Sequence, residues 1–209
     1  MPAAIDHIVY ATRDLEGSVA ELAERLGVQP APGGQHIGVG TRNYLLHLGG
    51  DAYLELIGPD PEQTPPVDRP MPFGISDLTS PRLAGFAVKC GDIPAAVEKA
   101  KAAGYDAGQV IEMQRERPDG VVLQWVLATR RNAGGDGLVP FLIDWKDSPH
   151  PSASTPQGCT LVSLRGEHPD PASVRRDLAA VDAELEVTQA PAVGLVATIA
   201  TPKGTVELR

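Results

Sequence analysis

Two polar residues lie inside apolar segments that are typical of β-strands. His7 belongs to the β-branched segment 5–11, and Glu55 belongs to the segment 53–57, whose other members are Tyr, Leu, Leu and Ile. Because side chains alternate along a strand, Glu55 shares a face with Tyr53 and Ile57. A carboxylate is costly to bury unless it is paired, bound to an ion or hydrated. Imidazole and carboxylate together suit a borderline-to-hard divalent ion, and the carboxylate can also exchange a proton.

Other catalytic motifs are absent from the sequence. There is no GxSxG, P-loop or HExxH pattern, and the glycines at 38 and 40 lack the third glycine of a dinucleotide-binding loop. Cys90 and Cys159 form no CxxC or CxxH pattern, so both are predicted to be small core residues rather than zinc ligands or a disulfide. Hydrolase and nucleotide-binding functions are therefore disfavoured.

Composition and charge limit the class of partner. The 209 residues include 18 Lys and Arg against 27 Asp and Glu, a net charge of −9, and 42% are hydrophobic. An acidic globular chain disfavours nucleic acid and anionic membranes as partners. The first residues lack the features of a signal peptide, and no apolar run approaches the roughly 20 residues of a membrane span. We therefore expect no nucleic-acid partner, no membrane association and a cytoplasmic location.

Three segments carry the same order of elements, which is a strand, a helix and three strands. In the first segment Asp14 can cap a helix whose apolar residues recur with helical spacing, and Gly27 can end it. Aligning Asp14 with Asp92 gives a repeat shift of 92 − 14 = 78 residues. The predicted units span residues 1–58, 82–146 and 158–209, with Pro-rich linkers between them. The sequence thus predicts an α+β protein made of repeated βαβββ units.

The individual elements are predicted from alternation, helical spacing and turn residues. The predicted helices are 18–26, 95–103 and 171–181. The predicted strands are 5–11, 35–39, 43–48 and 52–57, then 83–89, 108–113, 121–129 and 140–145, then 160–164, 186–189, 195–200 and 205–208.

The repeat resembles a known superfamily. An opening segment 6–10 that reads DHIVY and a closing segment 53–59 that reads YLELIGP are similar to those of the vicinal oxygen chelate (VOC) superfamily, to which glyoxalase I belongs. The stretches 40–46 and 140–151 look more like its glyoxalase-like branch. This resemblance covers residues 3 to about 150. It implies that two βαβββ units form an open barrel of the glyoxalase–bleomycin-resistance type, with a third C-terminal βαβββ-like unit beside it.

The resemblance also implies a metal site. Metal-dependent members supply His, Gln or Glu from the first and fourth strands of each unit. These positions correspond here to His7, Glu55, Asp144 and Gly85. The implied ligands of a divalent ion (Zn, Ni, Mn or Fe) are therefore His7, Glu55 and Asp144. Gly85 departs from the pattern because it has no side chain, which disfavours a four-ligand site.

Four further residues are candidates for binding a small molecule. Asn43 and Gln124 occupy matched positions in the two units, and Trp125 and Trp145 are the two tryptophans of the chain. Aromatic side chains often wall ligand pockets, although core packing is their more frequent fate. Asn43 and Gln124 line the pocket in one interpretation and face solvent in the other. Glu55 has the alternatives of a salt bridge with Arg42 or a hydrogen bond with Asn43.

Two functions from different classes remain open. The first is a glyoxalase-like enzyme, which is a lyase, isomerase or dioxygenase acting on a small oxygenated metabolite, with metal-polarised vicinal oxygens and Glu55 as the catalytic carboxylate. The alternative is a metal-free protein of the bleomycin-resistance type that binds or sequesters a small molecule. A catalytically inactive structural module is a third hypothesis. The resemblance also implies a homodimer, although the duplication within the chain removes the strict need for one.

Overall fold

The computed structural model describes residues 3–64, 70–117, 119–130 and 137–209. They form a closed barrel of eight strands and a separate sheet of four strands, with one α-helix for each repeat. The α+β fold of repeated βαβββ units is confirmed.

Each repeat contains one helix and four strands. The first comprises β1 (Ile5–Ala11), α1 (Leu15–Leu26), β2 (Ala31–His36), β3 (Thr41–His47) and β4 (Tyr53–Pro59). The second comprises β5 (Arg82–Lys89), α2 (Ile93–Ala102), β6 (Gln109–Glu116), β7 (Val122–Thr129) and β8 (Phe141–Asp144). The third comprises β9 (Thr160–His168), α3 (Pro171–Ala180), β10 (Glu186–Gln189), β11 (Gly194–Thr201) and β12 (Gly204–Leu208). Short 3₁₀ helices span Pro72–Asp77 and Pro151–Ser154.

An aspartate begins each α-helix. The side chains of Asp14, Asp92 and Asp170 accept hydrogen bonds from backbone N–H groups in the first turn of α1, α2 and α3. Such caps satisfy N–H groups that have no partner within the helix. Gly27 ends α1 in the left-handed conformation, with φ = 72°. None of the helices in the described part of the chain is long and apolar enough to cross a membrane.

The barrel joins the first two repeats edge to edge. Its strand order is β1-β4-β3-β2-β6-β7-β8-β5, and β1 pairs with β5 in antiparallel fashion to close it. β2 and β6 make the other junction, through only the pairs Gln35–Glu116 and His36–Arg115. Each repeat therefore contributes half of the wall around one interior.

The predicted strands differ from the structure mainly at this second junction and in β9, which continues to His168, four residues beyond its predicted end. β2 begins at Ala31, before the predicted start at 35, and it includes Pro32, Gly33 and Gly34. β6 continues to Glu116, three residues beyond the predicted end. Residues 131–136 of the predicted second unit lie outside the described residues.

The third repeat forms its own sheet, in the order β10-β9-β11-β12. Backbone hydrogen bonds connect it to the barrel, from the Leu161 N–H to the Leu48 carbonyl at 2.8 Å and from the Ala3 N–H to the Asp182 carbonyl at 3.1 Å. The largest cluster of buried apolar side chains includes residues of all three repeats. The main apolar core therefore joins the barrel to the third repeat.

Candidate functional site

A cavity of about 610 Å³ opens inside the barrel and extends to α3 of the third repeat, where Ser173, Val174 and Asp177 line it. This volume lies within the range of about 300–1,000 Å³ that is typical of small-molecule sites. Much of its wall is aromatic and apolar, and a compact group of polar side chains lies at one side. The larger apolar side chains in the wall include Phe73, Met113, Trp125, Phe141, Ile143 and Trp145.

His7 and Glu55 face each other in this polar group. The distance from His7 Nε2 to Glu55 Oε2 is 3.6 Å, and both side chains are almost completely buried. The His7 ring stacks on Tyr53 with 4.7 Å between centroids and meets the edge of Phe141 at 5.4 Å. As alternation predicts, Tyr53, Glu55 and Ile57 all line the cavity. Strands β1 and β4 thus hold an imidazole and a carboxylate side by side against an aromatic wall.

Asn43 holds the Glu55 carboxylate from the neighbouring strand β3. Its Nδ2 donates to Glu55 Oε1 at 2.6 Å, and its Oδ1 accepts from Arg115 Nη1 at 2.9 Å. The bond from Arg115 fixes the orientation of the amide, because only the oxygen can accept from a guanidinium. Burial lowers the pKa of Arg115, although an arginine remains charged in proteins. A buried positive charge therefore reaches Glu55 through one amide, whereas Arg42 pairs with Glu16 instead.

Gly33 makes room for this arrangement. A Cβ atom at position 33 would overlap Arg115 Nη1 and Asn43 Oδ1. Because position 33 of β2 has no side chain, Arg115 can reach Asn43 across the junction between the two repeats.

His36 completes the polar group from β2. Its Nδ1 is 2.9 Å from Thr41 Oγ1, and its Nε2 is 3.3 Å from Asn43 Nδ2 and 3.7 Å from Glu55 Oε1. Burial lowers the pKa of His36 to about 4, despite the opposing effect of Glu55. His36 is therefore neutral at physiological pH, and its Nε2 accepts from Asn43.

Asp6 lies behind His7, on the side away from Glu55. Its carboxylate is 2.7 Å from His7 Nδ1, 2.9 Å from His150 Nε2 and 3.2 Å from Trp145 Nε1. Burial alone would raise the pKa of Asp6, but the hydrogen bonds from His150 and His7 outweigh it and hold this pKa well below its usual range. Asp6 is therefore ionised and accepts hydrogen bonds from three side chains.

Five of the seven residues predicted for the site line the cavity. These five are His7, Asn43, Glu55, Trp125 and Trp145. The Trp125 and Trp145 rings lie 5.0 Å apart, and Trp125 also meets the edge of His36 at 6.2 Å.

Asp144 and Gln124 are not among the residues that line the cavity. Phe141, Ile143 and Trp145 point inward, so alternation turns Asp144 away from the cavity. Its Oδ1 accepts from the backbone N–H of Lys146 and its Oδ2 pairs with Lys146 Nζ, both at 2.9 Å. Gln124 is exposed, between the buried side chains of Leu123 and Trp125. The structure therefore does not bring either residue to the predicted site.

The donor set does not fit the metal site that the sequence suggested. Asp144 faces away from His7 and Glu55, Gly85 lines the cavity without a side chain, and one Glu55 oxygen is already bound by Asn43. Within the described ranges, no group of three or more His, Cys, Asp or Glu residues is arranged to hold a metal ion. The cavity offers His7 Nε2 and Glu55 Oε2, which are fewer donors than protein zinc sites use.

Sequence reasoning did not place four residues around the site, namely Asp6, His36, Arg115 and His150. Arg115 lies two residues beyond the predicted end of its strand at 113, so the alternation that places Met113 and Arg115 on one face was not extended to it. The position of Asp6 next to His7 was the local signal for Asp6. His36 follows a Pro-Gly-Gly sequence that does not resemble a strand, and nothing local connects His150 with β1.

Comparisons with known proteins agree with the fold. A family model described as "Glyoxalase-like domain" matches residues 5–181. A hypothetical protein from Staphylococcus aureus with a solved structure is 16% identical, and its alignment covers 97% of this chain and 83% of that chain with a TM-score of 0.63. At this identity the similarity shows the fold alone. A comparison with curated proteins found no match.

Two methylmalonyl-CoA epimerases are also structurally similar. A variant of the Streptomyces coelicolor enzyme in complex with 2-nitronate-propionyl-CoA is 19% identical, with 72% of this chain and 100% of that chain covered and a TM-score of 0.46. The Mycobacterium tuberculosis enzyme is 17% identical, with 72% and 91% covered and a TM-score of 0.42. Both scores are too low to support a functional argument.

Proposed function

The chain belongs to the glyoxalase-like domain family, and from this premise we propose that it binds a small carbonyl compound in the barrel and moves a proton on it with Glu55 and His7, without a metal. The approach of His7 Nε2 to Glu55 Oε2 at 3.6 Å carries the proposal. When neither group carries a proton at this contact, His7 Nε2 and Glu55 Oε2 are both hydrogen-bond acceptors. A proton between them, or a hydrogen-bond donor on a ligand, then gives both atoms a partner. The pair is therefore suited to receive a proton from a bound molecule.

The rest of the cavity supports a ligand that is mainly apolar and has one polar end. The wall of Trp125, Trp145, Phe141 and Phe73 covers a flat or hydrocarbon part, as aromatic walls do in many ligand sites. Because His7, His36 and Asn43 gather around Glu55, we place the carbonyl and the carbon beside it at that side. The proposed substrate class is therefore a small carbonyl compound with an acidic C–H bond next to the carbonyl.

The proposed step is proton abstraction followed by return of the proton. Glu55 Oε2 accepts the proton from the carbon, the electron pair of the broken C–H bond moves to the carbonyl oxygen, and an enolate forms. The proton is then shared between Glu55 Oε2 and His7 Nε2. Return of a proton to carbon completes an exchange or an isomerisation. Asn43 keeps Glu55 in place, and the burial of His7 and Glu55 strengthens the charge interactions between them.

A metal-free binding or sequestering protein is the second candidate. The aromatic wall supports this function equally well, because it provides affinity without chemistry. The two candidates differ in one property: both predict ligand binding, and only the first predicts exchange of a carbon-bound hydrogen with solvent.

The test has two steps. A thermal-shift screen of small 1,2-dicarbonyl, 1,3-dicarbonyl and α-hydroxycarbonyl compounds identifies ligands, because a ligand that binds only the folded state stabilises it. NMR in D₂O then measures the loss of the C–H signal next to the carbonyl of each bound compound. Glu55→Gln is the test variant, and Asp144→Asn is the matched control because its carboxylate points away from the cavity.

We expect wild type and Asp144→Asn to exchange at equal rates, and Glu55→Gln to lose at least about 100-fold, as is typical for removal of a general base. Binding without any exchange would overturn the enzymatic proposal in favour of the binding protein. Equal loss in both variants would favour the metal site that uses Asp144.

A further inference from the structure

Asp6 occupies an irregular position at the start of β1. Ile5 pairs with Val88 and His7 pairs with Ala87 on strand β5, so the register shifts between them and Asp6 is the additional residue. Irregularities of this kind re-aim a side chain out of the regular alternation, and they occur frequently beside functional sites. The shift brings the Asp6 carboxylate next to the ring of the following residue, His7, at 2.7 Å.

The three bonds of Asp6 fix where protons lie on two histidines. An ionised carboxylate has no hydrogen to donate, so each nitrogen in contact with it must carry one. His7 therefore has its hydrogen on Nδ1, and His150 has one on Nε2. The other nitrogen of His150, Nδ1, lies 2.7 Å from the hydroxyl of Ser152 and accepts from it. One buried carboxylate thus selects opposite tautomers in two neighbouring rings.

The choice of tautomer decides what His7 presents to the cavity. With the hydrogen on Nδ1, the neutral ring has a lone pair on Nε2, which faces Glu55. The opposite tautomer would donate from Nε2 to Glu55 and would block the uptake of a proton. Asp6 also contacts Trp145, whose ring lines the cavity beside Trp125. The same carboxylate therefore affects both the proton acceptor and the aromatic wall.

We propose that Asp6 is a positioning residue, which holds His7 as the Nδ1–H tautomer so that Nε2 can share the proton of Glu55, and which anchors the segment carrying Trp145 and His150 against β1. The role in proton transfer rests on the proposed function. The assignment of the two tautomers does not, because it follows from the hydrogen bonds of Asp6 alone.

The tautomers can be measured directly in the protein without a ligand. Two-bond ¹H–¹⁵N correlation spectra of ¹⁵N-histidine-labelled protein distinguish Nδ1–H from Nε2–H rings. They are recorded at about pH 8.5, well above the ordinary histidine pKa of about 6.5. His7→Gln and His150→Gln assign the signals. We expect Nδ1–H for His7 and Nε2–H for His150, and Nε2–H for His7 in wild type would overturn the proposal whether or not any variant folds.

Asp6→Asn tests the consequence for function. Asparagine offers one acceptor and one donor group in place of two acceptors, so it cannot accept from both histidines with these tautomers. We expect the tautomer of at least one ring to change, and kcat for proton exchange to fall by about 10²–10⁴-fold with a much smaller change in KM. Asp182→Asn, which removes an exposed ion pair with Lys99, is the matched control and leaves the spectra and kcat unchanged.

The outcomes separate this proposal from the proposed function. The predicted tautomers in a protein that exchanges no substrate hydrogen would refute the proposed function and leave the assignment of Asp6 intact. Exchange activity with unchanged tautomers and kcat in Asp6→Asn would refute the role of Asp6 and leave the proposed function intact.

Discussion

Replacing His36 by glutamine is expected to change how the stability of the protein depends on pH. The His36 side chain is only 6% exposed and contacts Thr41, Asn43 and Glu55. Its pKa falls from 6.5 to about 4 on folding, mainly through burial. Between these values the unfolded chain binds a proton that the folded protein does not bind, so stability decreases as the pH falls. The stability that neutral His36 contributes to the folded protein is fully present above about pH 6.5 and fully lost below about pH 4.

The size of the effect follows from the shift. A pKa difference of one corresponds to about 1.4 kcal/mol, so wild type is expected to lose about 3 kcal/mol over this interval through His36. Glutamine is neutral throughout and does not contribute such a loss. Titrating groups that do not contact His36, such as Asp6, are present in both proteins and cancel in the difference between them.

Urea unfolding measured by the fluorescence of Trp125 and Trp145 gives the free energy of unfolding of both proteins from about pH 7.5 to about pH 4. The stability advantage of wild type over His36→Gln is expected to shrink by about 3 kcal/mol as the pH falls. His47→Gln is the control, because among the described residues the ring of His47 bonds only to the backbone of Gly49 and Gly50 in a turn. A constant difference between wild type and His36→Gln at every pH would refute the buried, neutral His36.

Two further substitutions test the walls of the cavity. Gly33→Ala places a Cβ against Arg115, so we expect a loss of about 1–3 kcal/mol in urea unfolding and weaker ligand binding, whereas Gly91→Ala, where nothing lies within 4 Å of the added Cβ, should have little effect. Equal stabilities of the two variants would contradict the packing at Gly33. Trp125→Ala removes an aromatic part of the cavity wall and should weaken ligand binding, measured by calorimetry, about tenfold or more. Val122→Ala, at an exposed position, is the control. Equal affinities of the two variants would exclude Trp125 from the ligand site.

The repeated fold could be predicted because its signals are local. The aspartate caps at Asp14 and Asp92, the helical spacing that follows them and the alternation around Glu55 all act within a few residues of the chain. Such patterns predict helices and strands without any knowledge of tertiary contacts. The order of elements was therefore predictable for all three repeats.

The junction between β2 and β6 was not predictable in the same way. Pro32, Gly33 and Gly34 have low β propensity, and Gly33 is needed because Arg115 passes over it from the other repeat. His36 and Arg115 become neighbours only through two long-range strand pairs. The need for glycine at position 33 arises from a residue of the other repeat, so the local sequence pattern does not reveal it.

The placement of Asp144 shows how repeat alignment fails. β8 pairs with β5 through Phe141 and Ala87, and Ala87 also pairs with His7 on β1. This register places Phe141 beside His7 and turns Asp144 to the opposite face of β8. The second repeat has extra residues before β8, so the alignment could not fix the register of that strand. An error of one residue exchanges the inner and outer faces.

The central claim is that Glu55 and His7 move a proton without a divalent metal. The most direct measurement is the rate of C–H to C–D exchange of a bound carbonyl compound, in untagged wild type before and after dialysis against a strong chelator, with Glu55→Gln beside it. We predict the same rate before and after chelation, and a loss of at least about 100-fold in Glu55→Gln. Exchange that disappears with the chelator and returns with added zinc, nickel, manganese or iron(II) would contradict the account.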